Sequence, residues 1–417
     1  MLQVELLALR GFQSETHYVP TSDGYYLHLV RVINPLASEV LKRPVIFNHG
    51  LLECSTIWLI NSRNFKPLKP KKPCGNLHSN NAFGNMTSNG PLLLANEGYD
   101  VWLMSMRGTD WSLGHESLSP DDSEFWNYSL DDFALVDVPS VVDYVMELTG
   151  ASKVAYIGHS QATFSIFGLL STRPSYADVI EPVIAVAPVA FFEHITSAAR
   201  LVFLGTLTAT NKDTHGPFPP EAGKIRGLTS EVCGSSKMNM PRLICQLIEI
   251  LVSGAGEKWL KGYYNHLPFY SSLKILRHFG QLIKYKKYGM YDYGKEENLK
   301  IYGTPTSPSY PVERIRSRSL CLIRTKSDAL STPKDVDRFK SRLTVPLHKD
   351  IFIDGDYNHF DLITDRKSGR LVFEPILEIL DSFERKTGVC AQGASDAYLL
   401  NDLTAPSGGQ FIAEYVD

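Results

Sequence analysis

The chain has 417 residues, and 42 Lys+Arg against 45 Asp+Glu leave a net charge of −3. That balance argues against a surface built to neutralise nucleic-acid phosphates, and a composition of 43% hydrophobic and 21% charged residues excludes wholesale disorder. With 30 Gly, 24 Pro and six Cys the chain is neither collagenous nor a disulfide scaffold, which leaves a soluble folded enzyme or binding protein. Its length suits about three units of ~150 residues, or one large α/β core with additions.

Residues 1–15 (MLQVELLALRGFQSE) lack a basic start, a long apolar run and a small-residue cleavage site, so no signal peptide is visible. No stretch approaches the ~18 continuous apolar residues that a transmembrane helix needs. Residues 21–32 (TSDGYYLHLVRV) open with turn residues and continue in strand alternation, one half of an antiparallel hairpin. Short apolar runs follow at 44–48 (PVIFN), closed by His49-Gly50, and at 99–106 (YDVWLMSM), closed by Arg107-Gly108. Between them, residues 63–91 include a basic Pro-rich stretch (KPLKPKKP) that reads as a solvated loop. Leu130, Phe133, Val138, Val141, Val145 and Leu148 recur at helical spacing until Gly150. Further strands are expected at 153–157 (KVAYI), 183–188 (VIAVAP), 319–324 (SLCLIR) and 350–353 (DIFI).

Strands alternating with helices predict an α/β fold with a mostly parallel sheet. The rhythm stops over residues 191–310, where helices take over. Leu243, Ile244, Leu247, Ile248 and Leu251 form a stripe between Pro241 and Gly254. Leu273, Leu276, Phe279 and Ile283 mark a second helix with Ser271 as its N-cap. Residues 1–190 and 311–384 are therefore expected to form the core, and 191–310 an inserted helical cap. Residues 385–417 turn small and polar and read as a poorly ordered tail.

Gly158-His159-Ser160-Gln161-Ala162 lies between a buried strand and a helical segment. That is the setting of a nucleophile elbow, in which small flanking residues let the backbone turn sharply and the helix start offers N–H groups to an oxyanion. The serine then needs a base and an orienting acid, in chain order acid before base. Asp328 follows the SLCLIR strand and His359 follows DIFI, so both fall where that chemistry requires them. His49-Gly50-Leu51-Leu52 ends the PVIFN strand, placing the Leu51 N–H as oxyanion donor beside that of Gln161. Rival acids and bases are weaker. His348 precedes its strand, and His159 should point away from the serine. Glu193 adjoins the cap, and Asp335 and Asp337 belong to the first turn of a helix. Asp361, two residues beyond His359, suits a bracing role. No zinc spacing, phosphate loop or dinucleotide fingerprint is present, so neither metal nor cofactor is expected. Asn85 (NMT) and Asn127 (NYS) are glycosylation sequons.

These residues also carry a resemblance. FNHGLLECS, LANEGYDVWLMSMRG, YIGHSQATF, TKSDALSTPKDVD and DYNHFDLI are similar to the corresponding segments of the animal acid lipases, the gastric and lysosomal enzymes. The similarity runs over about residues 6–384. It implies an α/β-hydrolase core, a helical cap with a lid, and a triad of Ser160, Asp328 and His359 acting on neutral lipid esters at a lipid–water interface. It also implies a Cys233–Cys245 disulfide in the cap and a secreted or lysosomal location, with the leader missing here. Ala162 in place of the elbow's usual Gly, the insertion within 63–91 and the extra tail depart from the family. A catalytically silent lipid-binding hydrolase fold and a small-ester carboxylesterase are the competing readings.

Overall fold

The computed structural model describes residues 3–37, 42–60, 65–70, 89–227, 268–365 and 367–386. After a short helix α1 (Gln3–Ala8), strands β1 (Gln13–Pro20) and β2 (Tyr25–Ile33) pair antiparallel as the expected hairpin. Strand β3 (Lys42–Asn48) leads, through helix α2 (Gly90–Asn96), to β4 (Tyr99–Met104), and the two lie parallel. A two-residue strand β5 (Gly114–His115) pairs with β2.

Ser129 then starts the long helical segment. Its hydroxyl accepts the Asp131 N–H while Asp132 accepts the Ser129 N–H, so two otherwise orphaned donors are satisfied. The short α3 (Leu130–Asp132) passes through a π-helical turn (Phe133–Asp137) into α4 (Val138–Thr149), which stops at Gly150 with φ 66°. Left-handed backbone of that kind suits Gly because it has no Cβ.

Strand β6 (Val154–His159), helix α5 (Gln161–Thr172) and β7 (Ile180–Val186) form the centre of the fold. Among the described residues, helix α6 (Ala199–Ala209), the β8–β9 pair (Pro217–Phe218 and Ser271–Ser272), α7 (Leu273–Tyr285) and α8 (Lys295–Tyr302) occupy the span expected for the cap. The cap of α7 is Ser272 rather than Ser271, because the helix begins at Leu273 and it is the extended Ser272 whose hydroxyl accepts from the Lys274 amide. The Leu243–Leu251 stripe lies outside the described residues. Strand β10 (Leu320–Thr325), α9 (Pro333–Lys340), β11 (Lys349–Ile353), the short α10 (Asp361–Thr364) and α11 (Glu374–Lys386) complete the chain. Helix α11 runs two residues past 384, its last turn held by an Arg43–Glu384 ion pair, so Arg385 and Lys386 belong to it rather than to the tail.

The main sheet has the order β1-β2-β4-β3-β6-β7-β10-β11, antiparallel only at β1, β2 and β5. Its central strands are buried on both faces, which is why they read as continuous apolar runs. Alternate residues divide between two cores. Trp102, Tyr156 and Ala185 pack on one face with α4 and α5, whereas Leu103, Ile157 and Val186 pack on the other with α2 and α11.

Candidate active site

Strands β6, β10 and β11 run parallel, with β7 between the first two, and the loops that follow them carry Ser160, Asp328 and His359. Ser160 stands between β6 and α5 with φ 53° and ψ −118°, backbone that an L-residue rarely adopts. Strain of this kind costs about 1–3 kcal/mol and persists where the surroundings impose it. Gly158 makes the turn possible, because a Cβ there would lie 2.8 Å from the Tyr156 ring and 3.2 Å from the Ala162 methyl. Tyr156 is pinned, its hydroxyl donating to the Ala162 carbonyl and accepting from Asn48. The methyl that distinguishes Ala162 from the usual Gly is fully buried in the core beneath α5.

His359 Nε2 lies 2.7 Å from Ser160 Oγ, and its Nδ1 lies 2.8 Å from Asp328 Oδ2. Asp328 also accepts the amides of Leu330 and Ser331 at 2.8 and 2.7 Å. Burial opposes the charge on Asp328, but His359 and these amides outweigh it and hold the carboxyl below its ordinary 3.8. An ionised carboxylate only accepts, so the donor inventory assigns the imidazole proton to Nδ1 and leaves Nε2 as acceptor toward the serine hydroxyl.

The turn that carries Leu51, the expected oxyanion donor, is held by His49 and Glu53, to which sequence reasoning assigned no role. His49 is buried, and burial pushes its pKa down to about 4, so the ring is neutral above that pH. Its Nε2 accepts the Met106 amide at 3.0 Å and its Nδ1–H donates to the Gly50 carbonyl at 2.9 Å. Glu53, 1% exposed, accepts the Gly50 amide at 2.6 Å. The turn is completed by Leu52 at φ 60°, whose carbonyl accepts from Phe269 of the cap span. The Gln161 amide is the first of α5 and has no partner within the helix. The signal for Glu53 was present: an acidic residue inside an otherwise apolar strand-end segment, HGLLEC.

The rivals are employed elsewhere. Glu193 pairs with Lys286 and Arg338, Asp337 with Arg324, and Asp335 with His194. The His348 amide joins Leu320 at the opposite edge. Asp361 accepts the Asn358 amide at 2.8 Å, bracing the His359 loop. The Asn127 side chain is engaged at both ends, donating to Glu124 and accepting from Lys274, so a glycan on Nδ2 would have to be built around the first of these bonds. Cys54 and Cys321 are buried free thiols. Cys233, Cys245 and Asn85 lie outside the described residues. Among those residues no group of His, Cys, Asp and Glu is placed to hold a metal ion.

Comparison with known proteins shows the fold and the family. Residues 4–62 match the family model for a partial α/β-hydrolase lipase region, and residues 43–208 match that for the α/β-hydrolase fold. The gastric triacylglycerol lipase of Bos taurus is 31% identical over 391 residues, covering 90% of each chain. This chain belongs to the acid lipase family. Other members are similar at greater distance. Lipase lipl-1 of Caenorhabditis elegans is 28% identical over 91% of each chain, and human lipase member N is 28% identical over 91% of this chain and 90% of its own. A solved structure from Sulfolobus solfataricus superposes with TM-score 0.50 at 12% identity, over 86% of this chain and 90% of that one, which shows the fold alone.

Proposed function

We propose that this acid lipase hydrolyses the carboxylic esters of neutral lipids, acylglycerols or sterol esters, through an acyl-enzyme on Ser160. The observation that carries the reading is the unbroken chain Asp328–His359–Ser160, at 2.8 and 2.7 Å, on a strained strand-to-helix turn. His359 Nε2 takes the hydroxyl proton as Ser160 Oγ attacks the ester carbonyl, and Asp328 balances the imidazolium. The Leu51 and Gln161 amides stabilise the tetrahedral oxyanion. Its collapse breaks the ester C–O bond, and the proton on Nε2 goes to the departing alcohol. Water then attacks the acyl-enzyme, gives a proton to His359, and releases the carboxylic acid as Ser160 recovers its proton.

The lipid reading draws on the gastric triacylglycerol lipase relatives, and so does the proposal of a secreted or lysosomal location. No helix among the described residues is long and apolar enough to cross a membrane. Contact with lipid is proposed at the surface of an emulsion or droplet. The division into an α/β core and an inserted cap, at about residues 190 and 310, is part of this proposal. The test pairs Ser160→Ala with three substrates: a triacylglycerol emulsion, a cholesteryl ester and a soluble butyrate ester. The expected result is hydrolysis of the long-chain esters by the wild type and none by a folded Ser160→Ala protein. Activity confined to the butyrate ester would establish a small-ester esterase, and turnover surviving in Ser160→Ala would remove the mechanism.

A further inference from the structure

Beneath the proposed triad lies a second buried acid–base pair. Glu53, from the loop after β3, accepts the Gly50 amide at 2.6 Å, and its two carboxylate oxygens lie 3.3 and 3.4 Å from Nδ1 of His159. His159 is the last residue of β6 and is fully buried. Its Nε2 lies 3.1 Å from the main-chain oxygen of His359. A carbonyl can only accept, so Nε2 carries a proton. The Nδ1 contact with Glu53 then needs a proton of its own, since two lone pairs would otherwise face each other in a dry interior. The pair therefore holds that proton between nitrogen and carboxylate. Burial opposes charge on both groups, yet their mutual attraction outweighs it, lowering the pKa of Glu53 and raising that of His159. His49, the other titratable ring beside Glu53, stays neutral above about pH 4 and adds no competing charge there.

This pair joins two parts of the site that no covalent path links closely. Through Gly50 it sets the turn that presents the Leu51 amide, and through His159 it holds the backbone of the base. The rings of His159 and His359 lie 5.0 Å apart, with Phe360 against both, so the contact is packed as well as bonded. We infer that Glu53 and His159 are positioning residues whose shared-proton hydrogen bonds lock the oxyanion turn to the His359 loop. The inference rests on the catalytic reading of Ser160, His359 and Leu51 above.

Glu53→Gln offers a clean probe. Its amide oxygen accepts from Gly50 and its amide nitrogen donates to Nδ1 of a neutral His159, preserving the bonded geometry without charge. Glu53→Ala removes both bonds. Misplacing a reacting group by ~1 Å can cost about 100-fold. Glu53→Ala is accordingly expected to lower kcat on a soluble butyrate ester by about 10- to 100-fold at nearly unchanged KM. Glu53→Gln is expected to recover kcat to within about threefold of wild type. Rates are counted per site titrated to completion with a fluorophosphonate, so unfolded molecules do not enter. Should Glu53→Ala not fold, Glu53→Asp takes its place, because it keeps the charge but draws the carboxylate back by one methylene. Wild-type kcat in the tested Ala or Asp variant overturns the inference, as does a Gln variant no better than it. Failure of wild-type Ser160 to label at all would instead sink the catalytic reading.

Discussion

At the residue scale, the roles proposed for the loop residues follow from what each atom can donate or accept. Asp328 gives one oxygen to two backbone amides and the other to His359, so its carboxylate is fixed before any substrate arrives. Asp328→Asn keeps the shape but offers an amide donor to Nδ1, favouring the wrong tautomer and leaving the imidazolium without a counter-charge. By the serine-protease precedent, kcat is expected to fall about 10²- to 10⁴-fold, measured on the butyrate ester. Asp361→Asn, which touches the loop backbone instead, should leave kcat within about threefold and mainly lower the melting temperature. The same depressed pKa fixes a pH dependence. A carboxyl whose folded pKa is lowered stabilises the fold above its unfolded value, near 3.8, and the gain is lost as pH falls through the folded value. The melting-temperature gap between wild type and Asp328→Asn should hold steady from pH 7 to about 5, then narrow below about 4.

At the scale of elements, the elbow depends on a fit between Tyr156, Gly158 and Ala162. Ala at position 162 is tolerated because position 158 is Gly, and the methyl fills space that Gly158 leaves open. Gly158→Ala should therefore do what Ala162 does not. Its Cβ would press into the pinned Tyr156 ring, with overpacking worth about 1–3 kcal/mol in addition to displacement of Ser160. Denaturant unfolding and ester turnover should both register the change. Ala162→Gly, by contrast, loses one buried methyl and some helix propensity, at about 1–2 kcal/mol, and should leave kcat near wild type. Loss of turnover in Ala162→Gly would mean that the methyl is part of the site rather than of its support.

At the scale of the whole molecule, an ion cluster ties the antiparallel edge of the sheet to the helical layer. Arg107, 1% exposed and just beyond β4, meets Asp23 of the hairpin turn and Asp137 of the π-helical turn while lying over Tyr25. Both carboxylates would be left facing an apolar group in Arg107→Met, and Asp137 is wholly buried. Removing one partner of such a buried pair costs about 3–5 kcal/mol, so the variant should unfold at distinctly lower denaturant while a folded fraction keeps its turnover per site. An equal midpoint would show that the cluster contributes no net stability.

The sequence by itself determined the strand–helix order, because strands buried on both faces need continuous apolar runs, and β6, β7 and β10 write them plainly. It determined Ser160, Asp328 and His359 as candidates for the same reason. Each follows a short apolar run, buried on both faces for Ser160 and Asp328 and at the exposed sheet edge for His359, and parallel strands bring their ends to one edge. Tertiary structure alone decided what surrounds them. Residues 53 and 159 are 106 apart in the chain, and nothing in local spacing says that Glu53 would turn inward to meet His159. Nor does spacing say that His159, written off as pointing away from the serine, would hold the base from behind. The N-cap of α7 lies one residue later than expected for a related reason, since pairing with Pro217–Phe218 holds both Ser271 and Ser272 extended and the helix starts only at Leu273. Periodicity reports which face of a segment is buried. Which polar atoms meet across the interior is set by packing between distant elements, where an unpaired group is costly enough to dictate its partner.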